Sequence, residues 1–106
     1  MTFRTVIEGE AEKEFAEAVD FYNGREPGLG QRFARDVRDV FRRACKEPER
    51  FPRVTRLIRK AKVLDWPYSV YFSISVETSE LVISTVWHGS RNPAELRRRL
   101  DRKSVV

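Results

Sequence analysis

Cysteine is nearly absent from this chain: Cys45 stands alone, so no internal disulfide can form and no thiolate cluster can hold a metal. Histidine is as scarce. His88 is the only one, and a single imidazole with a single thiol cannot build the usual structural zinc ligand set. Apolar runs are only a few residues long, far short of the roughly 20 that a bilayer-spanning helix needs. The N-terminus lacks the charged-then-apolar layout of a signal peptide. No glycine-rich phosphate loop precedes a helix, because Gly28-Leu29-Gly30 stands without the rest of any nucleotide fingerprint. Repeats and low-complexity tracts are missing too. These absences predict a cytoplasmic chain with no metal, no cofactor and no membrane contact, in which Cys45 is a small buried hydrophobe on a helix.

What is present is charge and aromatic bulk. The 106 residues are 41% hydrophobic and 35% charged, with two Trp and seven Phe, enough for one compact core and too few residues for two; a single domain over residues 1–106 is expected. The charge is unevenly spread. Glu8 to Glu26 carries a local net of −5, whereas Pro27 onward carries +9, giving one acidic helix on a basic body. A basic body suits an acidic partner, either nucleic acid or an acidic polypeptide. The early glutamates read as solvating groups at the positive end of a helix.

The pattern of apolar residues predicts an α+β fold: an N-terminal strand, a helical hairpin, an antiparallel β-meander and a short C-terminal helix. Thr2 to Ile7 is β-branched and aromatic and reads as the first strand. From about Glu10, Ala11, Phe15, Ala18 and Tyr22 recur at helical steps, and Asn23-Gly24 or Pro27-Gly28 ends that helix. A second helix from about Leu29 turns Phe33, Val37, Val40, Phe41 and Ala44 to one side and stops before Pro48. The short connector forces the two helices to pack antiparallel. Beyond Pro52 the period falls to two: Val54 to Ala61 is expected as a strand, Tyr68 to Val76 alternates cleanly, and Leu81 to Trp87 returns after a polar turn. Pro93 opens a final helix from Ala94 to about Asp101, and the last few residues are expected to fray.

Two constellations could carry recognition or chemistry. Arg50, Arg53, Arg56, Arg59, Lys60 and Lys62 form a run of cations with no acid between them. In a strand Arg56 and Lys60 share a face with Arg59 opposite, and such cations can neutralise phosphates or carboxylates or simply protect a sheet edge. Just past the last strand, Trp87-His88-Gly89-Ser90-Arg91-Asn92-Pro93 places an imidazole near a guanidinium. His88 could serve as a general acid or base with Arg91 stabilising negative charge, or His88 could merely cap the strand end.

Taken together, Ala18-Val19-Asp20-Phe21-Tyr22, Pro27-Gly28-Leu29-Gly30-Gln31-Arg32-Phe33, Pro48-Glu49-Arg50-Phe51-Pro52, Trp66-Pro67-Tyr68-Ser69-Val70-Tyr71 and Val86-Trp87-His88-Gly89-Ser90-Arg91-Asn92-Pro93 resemble the RelE/ParE toxin superfamily, most of all its ParE-like, plasmid-stabilisation branch. The resemblance implies the toxin of a type II toxin-antitoxin pair, held in a hetero-oligomer by a cognate antitoxin. It implies DNA gyrase as the target, without catalysis. The alternative it carries is a ribosome-dependent mRNA endoribonuclease, for which His88, Arg91 and Arg59 are the candidate catalytic residues. A third reading is an interaction domain of the same fold that has lost toxicity. The nuclease members commonly place an acid-base tyrosine near the C-terminus, whereas the last tyrosine here is Tyr71; Trp66 and Asn92 also depart from the usual Phe and Asp. On this reading Phe15, Tyr22, Arg56, Arg59 and Lys60 receive the antitoxin. Arg91, Arg97, Arg98 and Arg99, with Arg102 and Lys103 beyond them, face the toxic target.

Overall fold

The computed structural model describes residues 2–104. Its elements run β1 (Arg4–Ile7), α1 (Gly9–Arg25), α2 (Leu29–Lys46), a 3-10 turn (Pro48–Arg50), β2 (Arg59–Val63), β3 (Tyr68–Ser75), β4 (Glu80–His88) and α3 (Pro93–Ser104). The expected α+β order holds throughout. The predicted fraying concerns Val105 and Val106, which lie outside the described residues.

The helical hairpin forms where the apolar stripes predict it. Gly28, at a φ of 88°, makes the left-handed corner between α1 and α2 that a side chain would resist. Two residues on, Gly30 lets the helices touch: its N–H bonds to Asn23 Oδ1 at 2.8 Å, and a Cβ there would come within 2.3 Å of the Val19 carbonyl oxygen. The hairpin lies on one face of a four-stranded sheet of order β1-β4-β3-β2, in which β2, β3 and β4 form the predicted antiparallel meander. β1 joins the far side of β4 in parallel, a pairing between the chain's first strand and its last.

Between these layers Phe15, Phe33, Val37, Phe41, Val70, Phe72, Leu81 and Ile83 are buried. Phe33 anchors an aromatic cluster, with ring centroids 5.0 Å from Trp66, 4.9 Å from Tyr68 and 5.2 Å from Tyr22. Each fully buried ring of this kind is worth on the order of 2–3 kcal/mol. Trp66 is tied across the layers as well, donating Nε1–H to Asp36 Oδ2 at 2.8 Å. α3 covers part of the opposite face, where Leu100 packs with Ile58, Tyr71 and Trp87. Cys45 is buried on α2 as expected, its Sγ 3.0 Å from Thr5 Oγ1.

Three features differ most from expectation. The strand anticipated from Val54 begins only at Arg59, since Val54 to Ile58 closes a turn of its own. There Thr55 Oγ1 accepts from the N–H groups of Leu57 and Ile58, while the Ile58 carbonyl accepts from Val54 and Thr55. α3 runs on to Ser104, since Leu100 and Arg99 bind its second half to the sheet. Within β4, Ser84 is an extra residue: Ile83 lies opposite Phe72 and Thr85 opposite Tyr71. This bulge reverses the alternation, so that Leu81, Ile83 and Val86 all face the helices while Trp87 faces α3.

Candidate functional site

β1 reaches only as far as Ile83, so β4 continues alone from Ser84 to His88 with one backbone edge uncovered. Side chains from two helices close it. Glu14 of α1 accepts from the Val86 N–H at 3.2 Å and from Thr85 Oγ1 at 2.7 Å, and Arg99 of α3 donates Nη2–H to the Ser84 carbonyl at 2.9 Å. The two are themselves paired, with Arg99 Nη1 2.8 Å from Glu14 Oε2. Only 8% of the Arg99 side chain and 14% of the Glu14 side chain are exposed. Burial alone would raise the Glu14 carboxyl, but hydrogen bonds from Arg99, Thr85 and Arg91, with the Arg99 charge behind them, outweigh it and hold it below the ordinary carboxylate range. An acceptor and a donor thus stand in for the missing neighbour strand.

The network spreads outward from that pair. Arg91 Nη1 bonds to Glu14 Oε2 at 2.7 Å, and its guanidinium lies 3.6 Å from the centroid of Trp87. Glu10 lies 3.3 Å from Arg99 Nε and 3.6 Å from Arg102, and Lys103 reaches Glu8 at 3.1 Å. The Arg99 Nε contact lacks hydrogen-bond geometry, leaving that N–H buried and unbonded. The reading of the α1 glutamates as solvating groups is therefore corrected for Glu14, which is a half-buried structural acceptor. The grouping of Arg99 with target-facing cations meets the same difficulty: its guanidinium is occupied and enclosed. Arg97 and Arg98 on the same helix are exposed and have no ion-pair partner among the described residues.

The residues expected to receive the antitoxin separate into three places. Phe15 is a core residue, buried edge-on against Phe33 and Phe41, and presents nothing to a partner. Tyr22 is half-buried, with its ring against Phe21, Phe33, Trp66 and Tyr68; Phe21 beside it is 54% exposed. Arg56 and Lys60 do not share a strand face. Arg56 sits in the turn before β2, whereas Lys60 lies on the α3 side over the Tyr71 ring at 6.0 Å, lining one small cleft with Arg97. Arg59 faces the helical side and donates to the Phe51 carbonyl at 2.7 Å. Arg53, Arg56 and Arg59 together line a groove of about 370 Å³ whose walls include Phe3, Leu57, Ile74 and Val76.

The nuclease constellation is only partly assembled. His88 and Arg91 line one groove of about 240 Å³ with Glu14, Glu17, Phe21 and Tyr68. His88 Nδ1 accepts from the Ser90 N–H at 3.0 Å and sits 2.8 Å from Ser90 Oγ, and its ring stands edge-on to Tyr68 at 5.0 Å. The Tyr68 phenol is pushed up by burial and stays protonated. Arg59 is elsewhere: it lies opposite Phe72, and His88 lies opposite Tyr68. Four residues along β3 amount to about 13 Å, with two strand spacings to cross besides.

A family model of the ParE toxin of the type II toxin-antitoxin system parDE matches residues 6–93. The chain belongs to the ParE toxin family. Solved structures carry the same fold. A chain of the chromosomal ParDE system from P. aeruginosa superposes with a TM-score of 0.70 at 14% identity, over 82% of this chain and 96% of that one. The RelBE2 toxin-antitoxin complex from Mycobacterium tuberculosis gives 0.60 at 18% identity, over 83% and 99%. A doubly substituted variant of E. coli toxin RelE in the free state gives 0.68 at 11% identity, over 99% and 100%. At such identities the likeness to these structures is one of fold. A comparison with curated protein sequences finds no match. Among the toxin's described residues no helix is long and apolar enough to cross a membrane.

Proposed function

We propose that this toxin, acting as one domain over residues 1–106 in the cytoplasm, inhibits DNA gyrase by adhesion and is held inactive by a cognate antitoxin. The family match supports the toxin-antitoxin part of this reading. The observation that supports adhesion over cleavage is that the three candidate catalytic residues do not converge: Arg59 is two strands away from His88, and Glu14 and Trp87 hold the Arg91 guanidinium. General acid-base cleavage of a phosphodiester needs those groups around one scissile bond.

The target face on this reading is the exposed side of α3, with Arg97 and Arg98 as cations that lack an ion-pair partner among the described residues and Lys60 beside Arg97. Arg91 borders it, and Arg99 holds the helix in place. The antitoxin takes the groove carrying Arg56 and Arg59, where guanidinium groups stand over apolar walls. Charge reversal at Arg56 and Arg59 together weakens the antitoxin complex by calorimetry and leaves the free toxin folded, at a melting temperature lowered by the lost Arg59 bond to the Phe51 carbonyl; unaltered affinity overturns the placement.

The target is tested with purified toxin in two assays side by side. The expected result is loss of gyrase supercoiling or trapping of cleaved DNA, with messages on translating ribosomes left intact. Cut messages, and loss of cutting in His88→Ala, would establish the endoribonuclease instead. Antitoxin binding with neither activity would establish the interaction domain.

A further inference from the structure

Tyr71 carries a polar group that the fold does not use. Only 5% of the residue is exposed, yet its hydroxyl has no hydrogen-bond partner among the described residues. Burying a hydroxyl without a partner is costly, and a phenylalanine would fill the same place without that cost. The hydroxyl is not sealed in. Among the described residues Arg99 Nε is the only fully enclosed side-chain polar atom without a bond, so the Tyr71 hydroxyl meets solvent, through the cleft of about 250 Å³ that it lines.

Three elements build that cleft. Lys60 of β2 lies opposite Tyr71 of β3, so the two side chains leave the same side of the sheet, with the ammonium 6.0 Å from the ring centroid. α3 lies on that face through Leu96 and Leu100, and Arg97 lines the same opening. The turn before β2 adds Val54, whose side chain is apolar and 44% exposed. Lys60 and Arg97 have no ion-pair partner among the described residues, and Asp101 is the single carboxylate of the lining. Burial pushes the Tyr71 phenol above its ordinary range, so it stays protonated and able to donate.

We propose that this cleft anchors the toxin to its target: an apolar side chain of the target protein enters between Val54, Leu96 and Tyr71, and a carboxylate next to it accepts the Tyr71 O–H and faces Lys60 and Arg97. The proposal rests on the gyrase reading above and adds the chemistry by which the target is recognised. A small, apolar-walled and well-packed cleft is the kind of place where one inserted side chain dominates an interface. A phosphodiester would satisfy the hydroxyl and the cations, but it would leave the apolar walls wet and set its charge against Asp101. A second copy of the chain would bring a like-charged rim against this one.

Half-inhibition of gyrase supercoiling, measured with the full chain and three variants, tests the proposal. Tyr71→Phe breaks no bond within the fold, so it should melt as wild type does while its half-inhibiting concentration rises about fivefold. Val54→Trp fills the cleft from its rim and should raise that concentration tenfold or more. Leu64→Trp adds the same bulk at an exposed position outside the cleft and should change nothing. Inhibition by Tyr71→Phe and Val54→Trp at wild-type concentrations overturns the anchor and leaves the gyrase reading standing. Wild type that neither inhibits supercoiling nor traps cleaved DNA overturns both. Binding to a DNA duplex alone, or to a second copy of the chain, that Val54→Trp abolishes gives the cleft to that occupant and overturns the proposal.

Discussion

The Glu14 carboxylate accepts hydrogen bonds from Thr85, Val86, Arg91 and Arg99, and its chemistry gives a signed prediction. Its carboxyl is held below the ordinary range in the folded chain, so it contributes stability above the unfolded carboxylate pKa and loses it as pH falls through the lowered folded value. Wild type should therefore lose melting temperature on acidification below about pH 5, and Glu14→Ala should show a shallower loss over the same window. At neutral pH that variant leaves the enclosed Arg99 with only the half-exposed Glu10 beside it, at a cost of about 2–4 kcal/mol. Arg99→Ala should cost a similar amount, whereas Arg97→Ala and Arg98→Ala, being exposed, should stay within about 0.5 kcal/mol of wild type in thermal melts. The pair was legible in the sequence after all. Glu14 stands three after Ala11 and four before Ala18, inside the apolar stripe of α1, and Arg99 lies between Leu96 and Leu100. A charge inside a buried stripe needs an opposite charge on whatever packs against it. Counting these residues by sign alone, as an acidic helix and an arginine-rich tail, hid the position that mattered.

Among the elements, the helical hairpin depends on a close approach. Gly30→Ala drives a Cβ against the Val19 carbonyl oxygen and the Asn23 side chain, and backbone cannot swing aside as a side-chain tip can. The expected cost is about 1–3 kcal/mol, read as a fall in chemical-denaturation midpoint. Trp66→Phe keeps the ring in its cluster and removes the Nε1–H bond to Asp36, so a loss of about 1 kcal/mol is expected by the same measurement. The elements themselves were readable because local rules govern them. Stripes at helical spacing gave α1 and α2, and clean alternation gave β3. What failed was β2, where Thr55 diverts the backbone into a turn that its β-branched neighbours do not announce. The bulge at Ser84 and the parallel pairing of β1 with β4 are set by tertiary contact, and no periodicity reports them.

For the whole molecule, the sheet divides its labour by face and by edge. One face carries the helical hairpin, and the other carries α3 with Arg97 and Arg98 outward. One overhanging edge is shut by an ion pair, and the other borders a groove lined by three arginines. Removing α3 to test its role would strip Arg99 from Glu14 and uncover Tyr71 and Trp87, so truncation after Pro93 should destabilise the fold and cannot isolate a binding role. Paired surface substitutions can. The most direct measurement is gyrase supercoiling in the presence of wild-type toxin, the Arg97→Ala/Arg98→Ala variant and His88→Ala, each first shown to melt as wild type does. Adhesion through the α3 cations predicts inhibition by wild type and by His88→Ala, and inhibition weakened about tenfold or more in the double variant. Full inhibition by the double variant together with none by His88→Ala would contradict it.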